Sequence, residues 1–260
     1  MIKVLTIAGS DCSGGAGIQA DIKTIAAHGM YAMSIITALT AQNTVGISEI
    51  FDIAPEFISR QIDAVFTDIF PDALKIGMAS NAEIIDVIDE RLRYYHARNI
   101  VIDPVMVSTS GSRLLSEKAE ALLCEKLFPI ADLVTPNIPE AEVICGFCIS
   151  NKEDMIRAGK WIFYQFSCNV LIKGGHAALD ATDLLYGKDG PCWILGERIN
   201  NPNTHGTGCT LSSAIACGLA GDKSMYESVL AAKGYLSGAL NAKMDLGQGA
   251  GPLDHMWRMR

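Results

Sequence analysis

The sequence has no apolar run approaching the roughly eighteen residues that a membrane-spanning helix needs. Its opening stretch, residues 1–8, meets Gly9-Ser10-Asp11 too early for the apolar core of a signal peptide. A soluble, cytoplasmic chain is the expectation. It also lacks a basic excess: 21 Lys and Arg stand against 29 Asp and Glu, giving a formal charge of −8 and a pI near 5.1. Binding a nucleic-acid backbone needs concentrated positive surface, so neither nucleic acid nor membrane is an expected partner. An anionic ligand would have to be held by local devices such as helix starts, single lysines and a divalent metal. No internal repeat, low-complexity tract or Pro/Ser-rich linker interrupts the chain, so one domain over residues 1–260 is expected. The 49% hydrophobic content suffices for a sizeable core. Histidine is scarce, and His28, His96 and His255 show no ligand spacing.

Cysteine is not scarce. Eight are scattered through a chain without an export signal, which favours reduced thiols over a disulfide framework. The pair Cys145-Gly146-Phe147-Cys148 is the only local metal-like spacing, but it lacks a second pair or nearby histidines and reads as buried or incidental.

Short β-branched runs bounded by Gly, Pro, Asn or Asp read as buried strands at 4–8, 34–39, 74–77, 100–103, 133–135 and 170–173. Between them, apolar residues recur at helical spacing: Ile18, Ile22 and Ile25; Phe57, Ile58, Ile62 and Val65; Ile84, Ile85, Ile88 and Leu92; Leu122, Leu123 and Leu127. Alternating strands and helices imply a three-layer α/β/α fold with a mostly parallel central sheet. In such sheets ligands gather beyond the carboxyl ends of the strands.

The most informative stretch is His205-Gly206-Thr207-Gly208-Cys209-Thr210, which opens a small-residue helix through Ala220. Free amides at a helix start carry the positive dipole end, and glycine lets an anion approach them without a Cβ clash. Alone, Gly-X-Gly is equally compatible with a tight turn. The helix dipole would lower the Cys209 thiol pKa and fit it to take a proton; a small cysteine packing the helix start is the alternative.

This motif resembles the anion hole of the ribokinase-like superfamily, in its hydroxymethylpyrimidine and phosphomethylpyrimidine kinase branch. Similar blocks lie in order at 8–21, 37–44, Lys75-Ile76-Gly77-Met78, 103–107, 135–141 and Lys173-Gly174-Gly175-His176. The resemblance implies ATP-dependent phosphorylation of a pyrimidine alcohol and then of its monophosphate, with Mg2+, in a dimer. It assigns Gly206, Thr207, Gly208 and Cys209 to catalysis, Thr207 also to the nucleotide, and Gly9, Ala16, Asp21, Gln42 and Met78 to the substrate pocket. Gln42 offers a donor and an acceptor to the edge of an aminopyrimidine; outside its block it reads as a solvated loop residue. Asp21 fits an acid early in a helix equally well.

On the nucleotide side stand Asp103, Asn137, Glu140 and Lys173. Asn137 and Glu140 carry oxygens suited to magnesium, directly or through water, and their spacing also fits a helix capping box. Lys173 ends an apolar strand that would aim it at the sheet's carboxyl edge. Asp183-Leu184-Leu185-Tyr186 reads as a further strand beneath the nucleotide. Two rivals remain: a pyridoxal or pyridoxine kinase of the same fold, and a catalytically silent pyrimidine sensor. The chain departs from the family pattern at Ser108-Thr109-Ser110-Gly111, where relatives place a lysine near Thr109, and at Ala250, where they often have histidine. No catalytic use is assigned to that tail.

Overall fold

The computed structural model describes residues 1–106, 115–174 and 181–259. Its centre is a nine-stranded sheet of order β3-β2-β1-β4-β5-β6-β7-β8-β9. The strands are β1 Lys3–Asp11, β2 Tyr31–Gln42, β3 Ile47–Asp52, β4 Ala73–Ile76, β5 Ile100–Ile102, β6 Leu133–Val134, β7 Asn169–Ile172, β8 Asp183–Gly187 and β9 Gly190–Ile194. Pairing is parallel from β2 through β7. The edges are antiparallel, where β3 folds back on β2 and where β8 and β9 follow β7.

Side-chain alternation divides the interior into two layers. Leu5, Ile7, Leu74, Ile76, Ile100 and Ile102 face one side of the sheet and join the buried residues of α2 Pro55–Phe66, α3 Ala82–Tyr94, α5 Ile138–Cys145 and α6 Lys152–Phe166. Val4, Ala73, Val101, Leu133 and Leu171 face the other side, beneath α1 Gly17–Ala27, α7 Thr207–Ala220 and α8 Met225–Asn241. The expected three-layer, mostly parallel α/β/α arrangement is therefore present.

The expected helix at Leu122–Leu127 is less regular than its spacing suggests. Regular α4, Glu117–Leu122, is followed by a π-helical turn, Leu123–Leu127, that leads into a 3-10 turn at Phe128–Ile130. Pro129 supplies no amide for a continuing α-helix. The segment 108–111, Gly175 and His176, all singled out in the sequence, lie outside the described residues.

Candidate active site

Strand ends and the start of α7 border one cavity of about 1170 Å3. Gly9, Ala16, Gln42 and Met78 line it on the side of β1 and β2; Asp103, Asn137, Glu140 and Lys173 line it beyond β5 to β7. Gly206, Thr207, Gly208 and Cys209 contribute the helix start. The eight cysteines are all free thiols, and Cys145 and Cys148 stand outside this lining.

The α7 start is built for close approach. Gly206 is the N-cap in the left-handed region, at φ +85°, and no side chain caps the helix. A Cβ there would overlap the Gly15 carbonyl oxygen, so glycine is required for both conformation and space. At Gly208 a Cβ would come within 2.9 Å of Asp103 Oδ2. The helix start thus abuts the ion pair between Lys173 Nζ and Asp103 Oδ1, 2.9 Å long. Burial disfavours the Lys173 ammonium, but Asp103 and Glu140 outweigh it and hold the pKa above the ordinary lysine value.

The capping-box alternative for Asn137 and Glu140 is realised. Asn137 Oδ1 accepts from the Glu140 amide at 2.9 Å, and Glu140 Oε2 accepts from the Asn137 amide at 2.9 Å. Glu140 Oε1 also accepts from the Met106 amide at 3.2 Å. Burial raises the Glu140 pKa, with Lys173 opposing. Among the described residues no group of three or more His, Cys, Asp or Glu side chains is disposed to hold a metal. Of the expected metal pair, Asn137 Oδ1 is taken up by the helix cap, while the carboxylates of Asp103 and Glu140 stand at the cavity wall.

Two sequence expectations change. Asp21 is fully buried and does not line the cavity. It accepts from Thr6 Oγ1 at 2.6 Å, Ser213 Oγ at 2.7 Å and Lys75 Nζ at 2.9 Å, joining β1, α7 and β4 beneath the pocket. The Cys209 thiol is not acidified. Burial pushes it up to about 11, and the Lys75 ammonium opposes that only in part. Cys209 is half-buried on the cavity wall, and there desolvation outweighs the pull of the helix dipole and the Lys75 charge on the thiolate.

Lys75 itself was not chosen from the sequence, although a lysine inside Ala73-Leu74-Lys75-Ile76 is a visible anomaly in a buried strand. It lines the cavity with no exposed surface, and Asp21, overcoming the cost of burial, holds its pKa above the ordinary lysine value. Three further features gave no local signal. Val105 adopts φ +45°, rare for a β-branched residue, on the cavity wall. Lys233 Nζ on α8 meets Asp183 Oδ2 at 2.6 Å. Asp11 Oδ2 lies 2.8 Å from His205 Nε2 and accepts from the Gly15 and Ala16 amides at 3.0 and 2.8 Å.

The tail also reaches the site, as a brace. Thr44 Oγ1 accepts from the Gln248 and Gly249 amides at 3.1 and 3.2 Å. The His205 amide donates to the Gly251 carbonyl at 3.2 Å, and Asn203 Oδ1 accepts from the Gly251 amide at 2.9 Å.

Comparison with known proteins gives this geometry relatives. A crystal structure of an ADP complex of Bacillus subtilis pyridoxal kinase superposes with a TM-score of 0.91 at 34% identity, covering 100% of both chains. The hydroxymethylpyrimidine/phosphomethylpyrimidine kinase of Rhizobium meliloti is 48% identical over 98% of this chain and 97% of its own length. The thiamine biosynthesis bifunctional protein ThiED of Geobacter sulfurreducens is 48% identical over 97% of this chain, which spans about half of that longer protein, 52%. The family described as phosphomethylpyrimidine kinase matches residues 11–254, from the aspartate that holds His205 to one residue short of His255. With the uncapped glycine turn, Cys209 and Gln42 inside that span, the chain belongs to the phosphomethylpyrimidine kinase family.

Proposed function

We propose that the chain transfers the γ-phosphoryl group of ATP to 4-amino-5-hydroxymethyl-2-methylpyrimidine and then to the resulting monophosphate, supplying the pyrimidine half of thiamine. The observation that carries this reading is the opening of three unlike surfaces onto one cavity: the amide-rich α7 start, the Asp103–Lys173 pair and the Gln42 wall. Phosphoryl transfer through a loose transition state asks chiefly for alignment and charge neutralisation. The amides of Gly206 to Cys209 would receive the migrating group, and Lys173 the nucleotide phosphates. Magnesium would add charge neutralisation on those phosphates, with Asp103 and Glu140 holding its waters and Asn137 fixing Glu140.

Cys209 would take the proton of the attacking hydroxyl, which it can do only as a thiolate. Burial works against that form and the Lys75 ammonium works for it. The second acceptor, a phosphate monoester with a pKa near ~6, is already mostly ionised at pH 7 and needs little base help.

Steady-state turnover of the pyrimidine alcohol, its monophosphate and pyridoxal, each with ATP and Mg2+, tests the proposal. Saturable phosphorylation of both pyrimidines, with kcat/KM well above that for pyridoxal, is the expected result. A preference for pyridoxal would overturn it in favour of the activity named for the Bacillus subtilis relative, and absence of turnover would support a sensor.

A further inference from the structure

Gln42 carries an amide whose two ends are chemically opposite, and its neighbours decide which end points where. Asp11 Oδ1 accepts from the Ser13 amide and hydroxyl at 2.8 and 2.7 Å, while Oδ2 accepts from the Gly15 and Ala16 amides. A carboxylate so surrounded by donors is ionised and can only accept, so His205 Nε2, 2.8 Å from Oδ2, must carry its proton toward Asp11. As placed, Gln42 Nε2 lies 3.3 Å from that same Nε2 of His205; amide nitrogen and oxygen are told apart only by their hydrogen-bond partners. An amide nitrogen there would set donor against donor. Gln42 Oε1 as placed accepts from Thr40 Oγ1 at 3.0 Å, but that single hydroxyl proton also has the Ser10 carbonyl within 3.1 Å. Turning the amide over, so that nitrogen faces Thr40 and oxygen faces His205, satisfies every group: Thr40 then donates to Ser10 and accepts from Gln42, and the imidazole N–H is shared between Asp11 and Gln42.

We infer that His205 is a specificity-determining positioning residue, which with Thr40 locks the Gln42 amide in one polarity and so fixes the hydrogen-bonding edge the acceptor ring must present. The locked amide keeps one N–H and one lone pair for the ligand, with the donor on the Thr40 side and the acceptor on the His205 side. A ring nitrogen beside an exocyclic amine matches that order. A lactam edge, with N–H and C=O exchanged, meets it reversed, donor to donor. An unlocked amide could rotate and take either. This deepens the proposed pyrimidine kinase reading and rests on it.

The test uses the 4-amino pyrimidine alcohol and its 4-oxo counterpart with His205→Phe, which keeps a ring without the N–H, and Thr40→Val, which keeps shape on the far side of the amide. The ratio of kcat/KM values and, without nucleotide, the ratio of Kd values are measured for each protein. The wild type is expected to prefer the 4-amino ring strongly, and either variant to cut that preference by about tenfold or more while the KM for ATP stays within about twofold. If His205→Phe does not fold, Thr40→Val alone decides. Unchanged preference in a folded variant that still turns over the 4-amino alcohol overturns the lock and leaves the proposed function standing. A wild type that phosphorylates neither ring removes both.

Discussion

The Lys75 ammonium lies 2.9 Å from Asp21 Oδ2, and neither side chain has any exposed surface. Breaking such a pair strands a charge that has no water, at a cost of about 3–5 kcal/mol. Asp21→Asn should therefore lower unfolding stability by that order in denaturant titration. Lys75→Met combined with Asp21→Asn should cost less than the sum of the two single changes, because the second substitution removes the stranded partner. Simple additivity would mean that the two charges do not interact.

Cys209 should separate the two half-reactions. Cys209→Ala is expected to slow alcohol phosphorylation by roughly 10²–10⁴-fold and monophosphate phosphorylation far less. Because burial holds the thiol near 11, its reactive form grows with pH. The wild-type alcohol step should then accelerate from pH 7 toward 10 and the monophosphate step should not, and Cys209→Ala should erase that acceleration. Equal losses in both steps, or a flat alcohol profile, would leave Cys209 only a role in shape.

Gly206→Ala must place a Cβ on the Gly15 carbonyl at φ +85°. It should depress turnover of both acceptors by on the order of 10²-fold, the scale of losing an aligned anion-binding donor. Gly208→Ala presses instead on Asp103 and should raise the KM for nucleotide more than that for the pyrimidine. Kinetics with each substrate varied in turn would distinguish them.

Glu140→Gln replaces an oxygen that accepts from either the Asn137 or the Met106 amide by an NH2 group, so one of those bonds is lost. A capping loss of about 1 kcal/mol should appear in thermal unfolding. If the carboxylate also orders the waters of the metal, the Mg2+ concentration for half-maximal rate should rise about tenfold or more. A stability loss with unchanged Mg2+ dependence would assign Glu140 to the helix cap alone.

Asp11 links the opening loop to stability in acid. Burial opposes its ionisation, but His205, Ser13 and the Ala16 amide prevail and hold its pKa well below the usual carboxylate range. A carboxyl depressed in the folded state contributes stability that is present above the unfolded value, roughly 3.9, and is lost as pH falls through the folded one. Asp11→Asn should make unfolding stability less steep below about pH 4; an unaltered acid limb would contradict the depressed pKa.

The parallel centre of the sheet was legible because its strands are buried on both faces and so appear as short unbroken apolar runs. The edges were not. Five of the six residues of β3 are exposed, so burial leaves no alternating pattern there. Helix α8 hides its packing in small residues such as Ala232 and Ala239. At the site, motifs drew attention to the glycine turn, Gln42 and Lys173, since each sits at the boundary of an element: the start of α7, the end of β2 and just past β7. Asp21 was misplaced because burial is settled by Thr6, Lys75 and Ser213, residues brought to it by tertiary folding. The Cys209 acidity was misread for the same reason: a dipole is visible in a sequence, and desolvation is not.

The brace from residues 248–251 to Thr44, Asn203 and His205 has a consequence for the order of assembly. The bonds to Thr44 span 204 and 205 positions and close slowly, after shorter loops such as the 48-position link from Gly251 to Asn203 have formed. The strands can therefore pair before Thr44 is tied to residues 248 and 249, which leaves the wall beside Gln42 among the last parts of the site to be fixed.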